Sequence, residues 1–98
     1  MKRFRLSPDA RHDLDEIWLY VAQEDSVRAA DRLVDSITER FPLLAGMPGL
    51  GRSRDDLGPG TRSFPVGNYV IYYRKATPGI EISHVFHGAR EVKKLFEV

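Results

Sequence analysis

Two stretches of the chain repeat apolar residues at the helical spacing of three, four and seven positions. The first begins after Ser7-Pro8, an N-cap residue followed by a proline at the first helical position, and the second begins after Asp25-Ser26. Their apolar positions are Ala10, Leu14, Ile17, Trp18, Val21 and Ala22, and then Ala30, Leu33, Val34, Ile37, Phe41 and Leu44. The short connection predicts an antiparallel helical hairpin. Because Pro42 cannot donate a hydrogen bond to the Thr38 carbonyl, we expect the second helix to bend or stop there and to resume for at most one turn.

The other regular elements are predicted to be strands. Residues 2–6 alternate well enough for a short first strand. Three longer candidates follow at residues 61–66, 68–75 and 80–87. The turn residues Gly67-Asn68 and Thr77-Pro78-Gly79 separate these candidates, so we expect a three-stranded antiparallel meander.

The order of elements predicts the fold class. Residues 46–60 are rich in glycine and proline, so we expect no regular element there, and residues 91–98 can form one short terminal helix. The resulting order is β-α-α-β-β-β, with a possible final helix. We therefore expect one α+β domain spanning residues 1–98, in which the helical hairpin packs on one face of a small, mainly antiparallel sheet.

The stretch Tyr69-Val70-Ile71-Tyr72-Tyr73 is apolar or aromatic on both faces of its strand. A strand with one solvated face alternates apolar and polar residues instead. One helical hairpin can cover only one face of the sheet. We therefore expect the second face to be exposed and to be covered by another chain, since a contiguous apolar patch usually marks an interaction surface.

Composition narrows the functional class. The 98 residues are 42% hydrophobic and 30% charged, which is typical of a soluble folded domain. No apolar run approaches the roughly 20 residues of a membrane-spanning helix, and the basic N-terminus lacks the apolar region of a signal peptide, so we expect a cytoplasmic protein with no membrane partner. The chain has no cysteine, only three histidines and no nucleotide-binding fingerprint, so we expect neither a metal nor a cofactor.

The net charge of +1 hides an asymmetry along the chain. Residues 1–6 carry a charge of +3, residues 7–41 carry −5, and residues 42–98 carry +3. If the two basic segments pair in one sheet, the sheet side of the protein is positive and the helical side is negative. An acidic partner would then meet the sheet side.

Several short motifs, spread over nearly the whole chain, resemble one family. They are Leu6-Ser7-Pro8, Ala10, Asp13-Leu14, Ile17-Trp18, Pro48, Gly51-Arg52, Arg62-Ser63-Phe64-Pro65-Val66-Gly67, Tyr69-Val70-Ile71-Tyr72-Tyr73-Arg74 and His87-Gly88-Ala89-Arg90. In these residues and in their order, the sequence resembles the ParE branch of the ParE/RelE superfamily of bacterial toxin-antitoxin toxins.

The resemblance implies a small toxin that a cognate, ParD-like antitoxin holds silent. In this family the antitoxin's C-terminal segment wraps the toxin, and the antitoxin carries the DNA-binding part, so contact with DNA is expected only through the antitoxin. The candidate antitoxin-binding residues are Trp18, Tyr69, Ile71, Tyr73 and Phe64. A packing role remains open for these residues, because Trp18 shares its apolar stripe with Leu14 and Val21.

The resemblance implies one of two cellular targets for the toxin. Toxins like RelE cut mRNA on the ribosome, whereas toxins like ParE block DNA gyrase. In the nuclease branch an arginine commonly follows the first aromatic residue of the strand, and here that position is Val70, which cannot stabilise a phosphorane. His84 and His87, three apart in a strand, point to opposite faces and cannot act as one acid-base pair.

We therefore expect gyrase inhibition by binding, with no catalytic residues. The candidate target-binding residues are Arg52, Arg54, Lys93, Lys94 and Phe96. The nuclease alternative would rest on Arg62, His87 and Arg90. A third alternative is an inactive interaction module with the same surface.

Overall fold

A computed structural model describes residues 3–90 together with Val92 and Phe96. The strands are β1 (Phe4–Leu6), β2 (Arg52–Ser53), β3 (Arg62–Val66), β4 (Tyr69–Lys75) and β5 (Ile80–His87), and the helices are α1 (Pro8–Glu24), α2 (Val27–Thr38) and α3 (Arg40–Gly46). The strands form one sheet in the order β1-β5-β4-β3-β2. β1 is parallel to β5 and the other pairs are antiparallel, which confirms the α+β fold and the predicted meander.

The helix boundaries follow from local sequence. The Ser7 hydroxyl accepts a hydrogen bond from the Ala10 amide at 3.0 Å and caps α1, and the Ser26 hydroxyl caps α2 in the same way through Ala29. The break before α3 lies where Pro42 predicts it, and Pro42 takes the third position of α3, where an amide has no partner within the helix. α3 then runs for seven residues, about two turns, so the prediction of at most one turn was too short.

The main core lies between the helices and one face of the sheet, here called the helix side. The buried side chains of this core are Ala10, Leu14, Ile17, Ile37, Phe41, Leu44, Val66, Ile71, Tyr73, Ile80, Ile82 and Val85. Tyr72 pairs with His84 and Tyr73 pairs with Ile82, so Ser83 has no counterpart and forms a bulge. The extra residue allows Ile82 and Val85 to face the helices together.

The opposite face of the sheet, here called the reverse face, corrects one prediction. Tyr72 and Phe86 are only 3% and 4% exposed there. Leu57 packs against them, and the Phe96 ring lies 5.3 Å from the Tyr72 ring. The expectation that another chain must cover this face is therefore wrong at Tyr72, because the glycine-rich loop and Phe96 cover it from within the same chain. Val70 is only half-buried.

Residues 46–60 are more ordered than their composition predicts. They contain two 3₁₀ turns, Pro48–Leu50 and Asp55–Leu57, and β2, which pairs with β3. The Tyr73 hydroxyl donates to the Pro48 carbonyl at 2.7 Å and accepts from the Gly51 amide at 2.8 Å. A tertiary contact that composition cannot reveal thus fixes this segment.

The predicted terminal helix lies largely outside the described residues. Val92 and Phe96 are helical, and the other positions of 91–98 are not described.

Candidate functional site

Two of the predicted antitoxin contacts are not on the surface. Ile71 is fully buried and Tyr73 is 1% exposed, because the strand alternation that points Tyr69 to the helix side places both of them beneath the helices. Their assignment to an antitoxin-binding surface was therefore wrong. These two residues belong to the main core.

The other three predicted antitoxin contacts are half-buried. The Trp18 indole nitrogen donates to the Asp31 carboxylate at 2.8 Å and ties α1 to α2. Phe64 packs against the main core from β3, and Tyr69 packs there from β4. Trp18 thus holds the hairpin together, and Tyr69 lies at the edge of an open groove.

That groove, here called the helix-side groove, lies between α1 and the ends of β4 and β5. It has a volume of about 290 Å³ and is lined by Asp13, Glu16, Ile17, Tyr20, Tyr69, Val85, Phe86, His87 and Arg90. Tyr20 is 61% exposed, and the His87 ring meets the Tyr69 ring edge-on at 5.2 Å. Burial raises the pKa of Tyr69, and the neighbouring Tyr20 adds to the rise.

Sequence reasoning missed Tyr20. The available signal was its place outside the apolar stripe of α1, because a large aromatic residue on the solvent side of an amphipathic helix has no partner within the core.

A second depression, here called the reverse-face pocket, lies on the opposite face of the sheet. It has a volume of about 470 Å³ and is lined by Leu50, Arg52, Arg54, Ser63, Phe64, Pro65, Val70, Tyr72, Gly88, Arg90 and Val92. The predicted target contacts Arg52 and Arg54 therefore lie together, and Arg90 joins them from beyond β5.

The three arginines of the pocket are held differently. Arg54 donates two hydrogen bonds of 3.0 Å to the Asp56 carboxylate, which raises the pKa of Arg54. The Arg90 guanidinium lies over the Phe86 ring, 5.0 Å from its centre. Arg52 is exposed, and no carboxylate of the described chain forms a salt bridge with it. Arg52 is thus the cation most available to a ligand.

Burial raises the pKa of Tyr72 at the floor of this pocket, although Arg54 opposes the rise. The phenol therefore stays protonated at neutral pH.

Of the three nuclease candidates, His87 and Arg90 line the helix-side groove together, whereas Arg62 lies apart from them. Arg62 pairs with Tyr73 in the sheet, whereas His87 pairs with Tyr69. Four residues of strand separate these positions, which is roughly 13 Å along β4. The Arg62 guanidinium donates to the Gly51 carbonyl at 2.7 Å, and His87 Nδ1 accepts from the Ala89 amide at 3.1 Å. Each residue therefore orders its own loop.

The other histidine prediction is that His84 and His87 point to opposite faces of the sheet. His84 lies on the reverse face, where its ring stacks on Phe86 at 4.6 Å, whereas His87 lies on the helix side, as their spacing predicts. His84 Nδ1 donates to the Asp13 carboxylate at 3.0 Å, and the same oxygen accepts from the Val85 amide at 3.1 Å. Asp13 thus provides a hydrogen-bond acceptor for the part of β5 that extends beyond its pairing with β1.

The remaining predicted target contacts are near the end of the sequence. Phe96 contacts Tyr72, His84 and Phe86 on the reverse face, so its ring is engaged within the chain. Lys93 and Lys94 lie outside the described residues.

Comparison with known proteins decides the family. Residues 4–92 match the family described as ParE toxin of the type II toxin-antitoxin system parDE. The chain belongs to the ParE toxin family. Residues 4–92 include both the helix-side groove and the reverse-face pocket, so the match covers each candidate surface.

Individual relatives agree with this family assignment. The chain is 34% identical over 87 residues to Toxin ParE1 of Caulobacter vibrioides, covering 89% of this chain and 90% of that toxin. It is 29% identical over 93 residues to Toxin ParE1 of Mycobacterium tuberculosis, covering 94% and 95%. A chain of a solved structure titled "Chromosomal ParDE TA system from P. aeruginosa" has the same fold, with a TM-score of 0.77, 21% identity and coverage of 89% and 96%.

The described residues of this ParE-family chain contain neither a helix that could span a membrane nor a group of side chains that could hold a metal ion. Within residues 3–90, 92 and 96, no helix has the length and apolar character needed to cross a bilayer. No cluster of three or more acidic or histidine side chains in that same part of the chain could hold a metal ion.

Proposed function

We propose that this protein is a toxin that a ParD-like antitoxin neutralises and that inhibits DNA gyrase by binding, without cleaving a bond. Membership of the ParE family of type II toxin-antitoxin systems supports the toxin and antitoxin parts of the proposal. The observation that carries the mechanism is the separation of Arg62 from His87 along the sheet.

Cleavage of RNA requires a base, a proton donor and cations around one phosphate. With Arg62 roughly 13 Å from His87 along β4, these groups cannot act on the same phosphate. Val70 lies on the reverse face, and its aliphatic side chain cannot stabilise a phosphorane. His87 and Arg90 line the helix-side groove together, but Arg62 does not join them, so the three nuclease candidates do not assemble around one phosphate.

The helix-side groove is the proposed antitoxin site. Unlike the buried Ile71 and Tyr73, the groove residue Tyr20 on α1 is accessible to a partner, since it is 61% exposed. Exposed aromatic side chains beside a groove are typical anchors for a partner peptide. Tyr69 lines this groove from β4, Trp18 lies on α1, and both are half-buried.

Two assays with the purified chain test the proposal. We expect the chain to inhibit supercoiling by DNA gyrase and the added antitoxin to reverse this inhibition. mRNA in a translation extract should stay intact at the same toxin concentration. Cut mRNA with unaffected gyrase would identify a RelE-type nuclease instead, and no effect in either assay would identify an inactive interaction module.

A further inference from the structure

The reverse-face pocket has the charge of an anion-binding surface. Arg52, Arg54 and Arg90 line it, and no acidic residue is among its described lining. Asp56 forms a salt bridge with Arg54, and no salt bridge among the described residues involves Arg52 or Arg90, so the described lining carries an excess of positive charge. Arginine binds carboxylates and phosphates through paired hydrogen bonds, so both chemistries fit the rim of the pocket.

The floor of the pocket distinguishes a peptide from a nucleic acid. Single-stranded nucleic acids bind through aromatic faces on which bases stack. The aromatic residues of the described lining are Tyr72, which is 3% exposed, and Phe64, which packs against the main core. The described lining therefore offers no open aromatic face to a base.

The same floor suits an apolar side chain. Val70 and Val92 are half-buried members of its lining, and Leu50 is 45% exposed. An apolar floor with a polar, charged rim is the usual arrangement of a protein-recognition site. Charge complementarity then selects a ligand with acidic residues next to an apolar one.

We propose that the reverse-face pocket binds an extended acidic segment of the toxin's protein target, with an apolar side chain on Val70 and neighbouring carboxylates on Arg52 and Arg90. The inference rests on the proposed function, because a toxin that acts by binding needs a recognition site for its target. It adds Arg90 and the Val70 floor to the predicted target contacts and specifies the chemistry of the partner.

Binding of short labelled peptides, measured by fluorescence anisotropy, tests this pocket. The probe has a glutamate-leucine-glutamate centre, and the comparison peptides replace either the glutamates with lysine or the leucine with serine. We expect the purified chain to bind only the first peptide well, and to bind it more weakly as salt is added, because the contacts are ionic and partly exposed.

Two charge-reversed variants locate the binding. Arg52→Glu should weaken the peptide complex by about tenfold or more, because it removes a charge-assisted contact and adds repulsion. Arg28→Glu carries the same change of charge on the exposed side of α2, remote from the pocket, and should bind like the unmodified chain. Equal binding by the two variants would overturn the proposal, as would equal or tighter binding of the lysine peptide or of a labelled oligouridine.

The same proteins separate this inference from the proposed function. If the unmodified chain inhibits gyrase but Arg52→Glu inhibits it equally well, the pocket is not the target site and only the proposed function stands. If Arg52→Glu loses affinity for the antitoxin instead, the antitoxin is the occupant and the inference is wrong. If the peptide binds through Arg52 and the unmodified chain leaves gyrase active, the pocket chemistry is supported and the identity of the target is not.

Discussion

At the scale of single residues, Tyr73 explains why the glycine-rich loop is ordered and why position 51 is a glycine. Its ring belongs to the main core, yet its hydroxyl donates to the Pro48 carbonyl and accepts from the Gly51 amide. A Cβ atom at position 51 would collide with this phenol, so glycine is required there by the close approach. One side chain thus joins the sheet to the glycine-rich loop.

Replacing Tyr73 with phenylalanine should lower the free energy of unfolding by about 1–3 kcal/mol, because the buried Gly51 amide loses its acceptor. Urea unfolding measures this loss. Tyr20→Phe is the matched control. Because Tyr20 is 61% exposed, loss of its hydroxyl should leave the free energy of unfolding unchanged. Equal stability of the two variants would contradict the role assigned to the Tyr73 hydroxyl.

The tyrosines also predict how stability depends on pH. Burial raises the pKa of Tyr72 and of Tyr73 above the ordinary value of 10.0, so the unfolded chain loses these protons before the folded chain does. Their contribution to stability is therefore complete below pH 10.0 and falls as the pH rises above it. Urea unfolding at increasing alkaline pH should show this fall, and it should be shallower in Tyr73→Phe. A parallel fall in both proteins would contradict the assignment.

At the scale of elements, the sequence predicts those helix and strand boundaries that local interactions determine. The capped starts of α1 and α2, the break near Pro42 and the meander follow from N-caps, periodicity and turn residues. The 3₁₀ turns and β2 could not be predicted, because the Tyr73 hydroxyl and pairing with β3 fix them. The cover of the reverse face was missed for the same reason, since Leu57 and Phe96 reach Tyr72 only in the folded chain.

The candidate site residues also divide into those that the sequence predicts and those that only the folded structure reveals. Arg52 and Arg54 were both predicted as target contacts, and both line one pocket. Arg90 was placed with the nuclease candidates, because sequence alone cannot show that its guanidinium lies over Phe86. Ile71 and Tyr73 were misassigned because β4 is apolar on both faces, and its sequence does not show which face the helices cover.

The edge of β5 provides a prediction at this scale. Asp13→Ala should lower the free energy of unfolding by about 1–3 kcal/mol, because the Val85 amide and His84 Nδ1 lose their common acceptor. Asp15→Ala, on the exposed side of the same helix, is the control and should have little effect. Thermal unfolding compares the two variants, and an equal shift in both would show that Asp13 does not stabilise this edge.

At the scale of the whole molecule, the two candidate surfaces lie on opposite sides of one sheet. The helix-side groove contains Asp13 and Glu16, whereas the reverse-face pocket is rimmed by arginines. This matches the charge asymmetry of the sequence, in which the helical segment is negative and the strand segments are positive. Arg90 lines both surfaces, whereas Tyr20 lines only the groove and Arg52 only the pocket, so variants of these two residues test the proposed antitoxin and target contacts separately.

The most direct test of this account measures antitoxin affinity and gyrase inhibition for Tyr20→Ala and Arg52→Glu in parallel. Tyr20→Ala should bind the antitoxin about tenfold more weakly and still inhibit gyrase, because it removes an aromatic anchor from the helix-side groove alone. Arg52→Glu should keep its antitoxin affinity and inhibit gyrase about tenfold less well. Loss of both activities in each variant, with the fold intact by circular dichroism, would contradict the separation of the two surfaces.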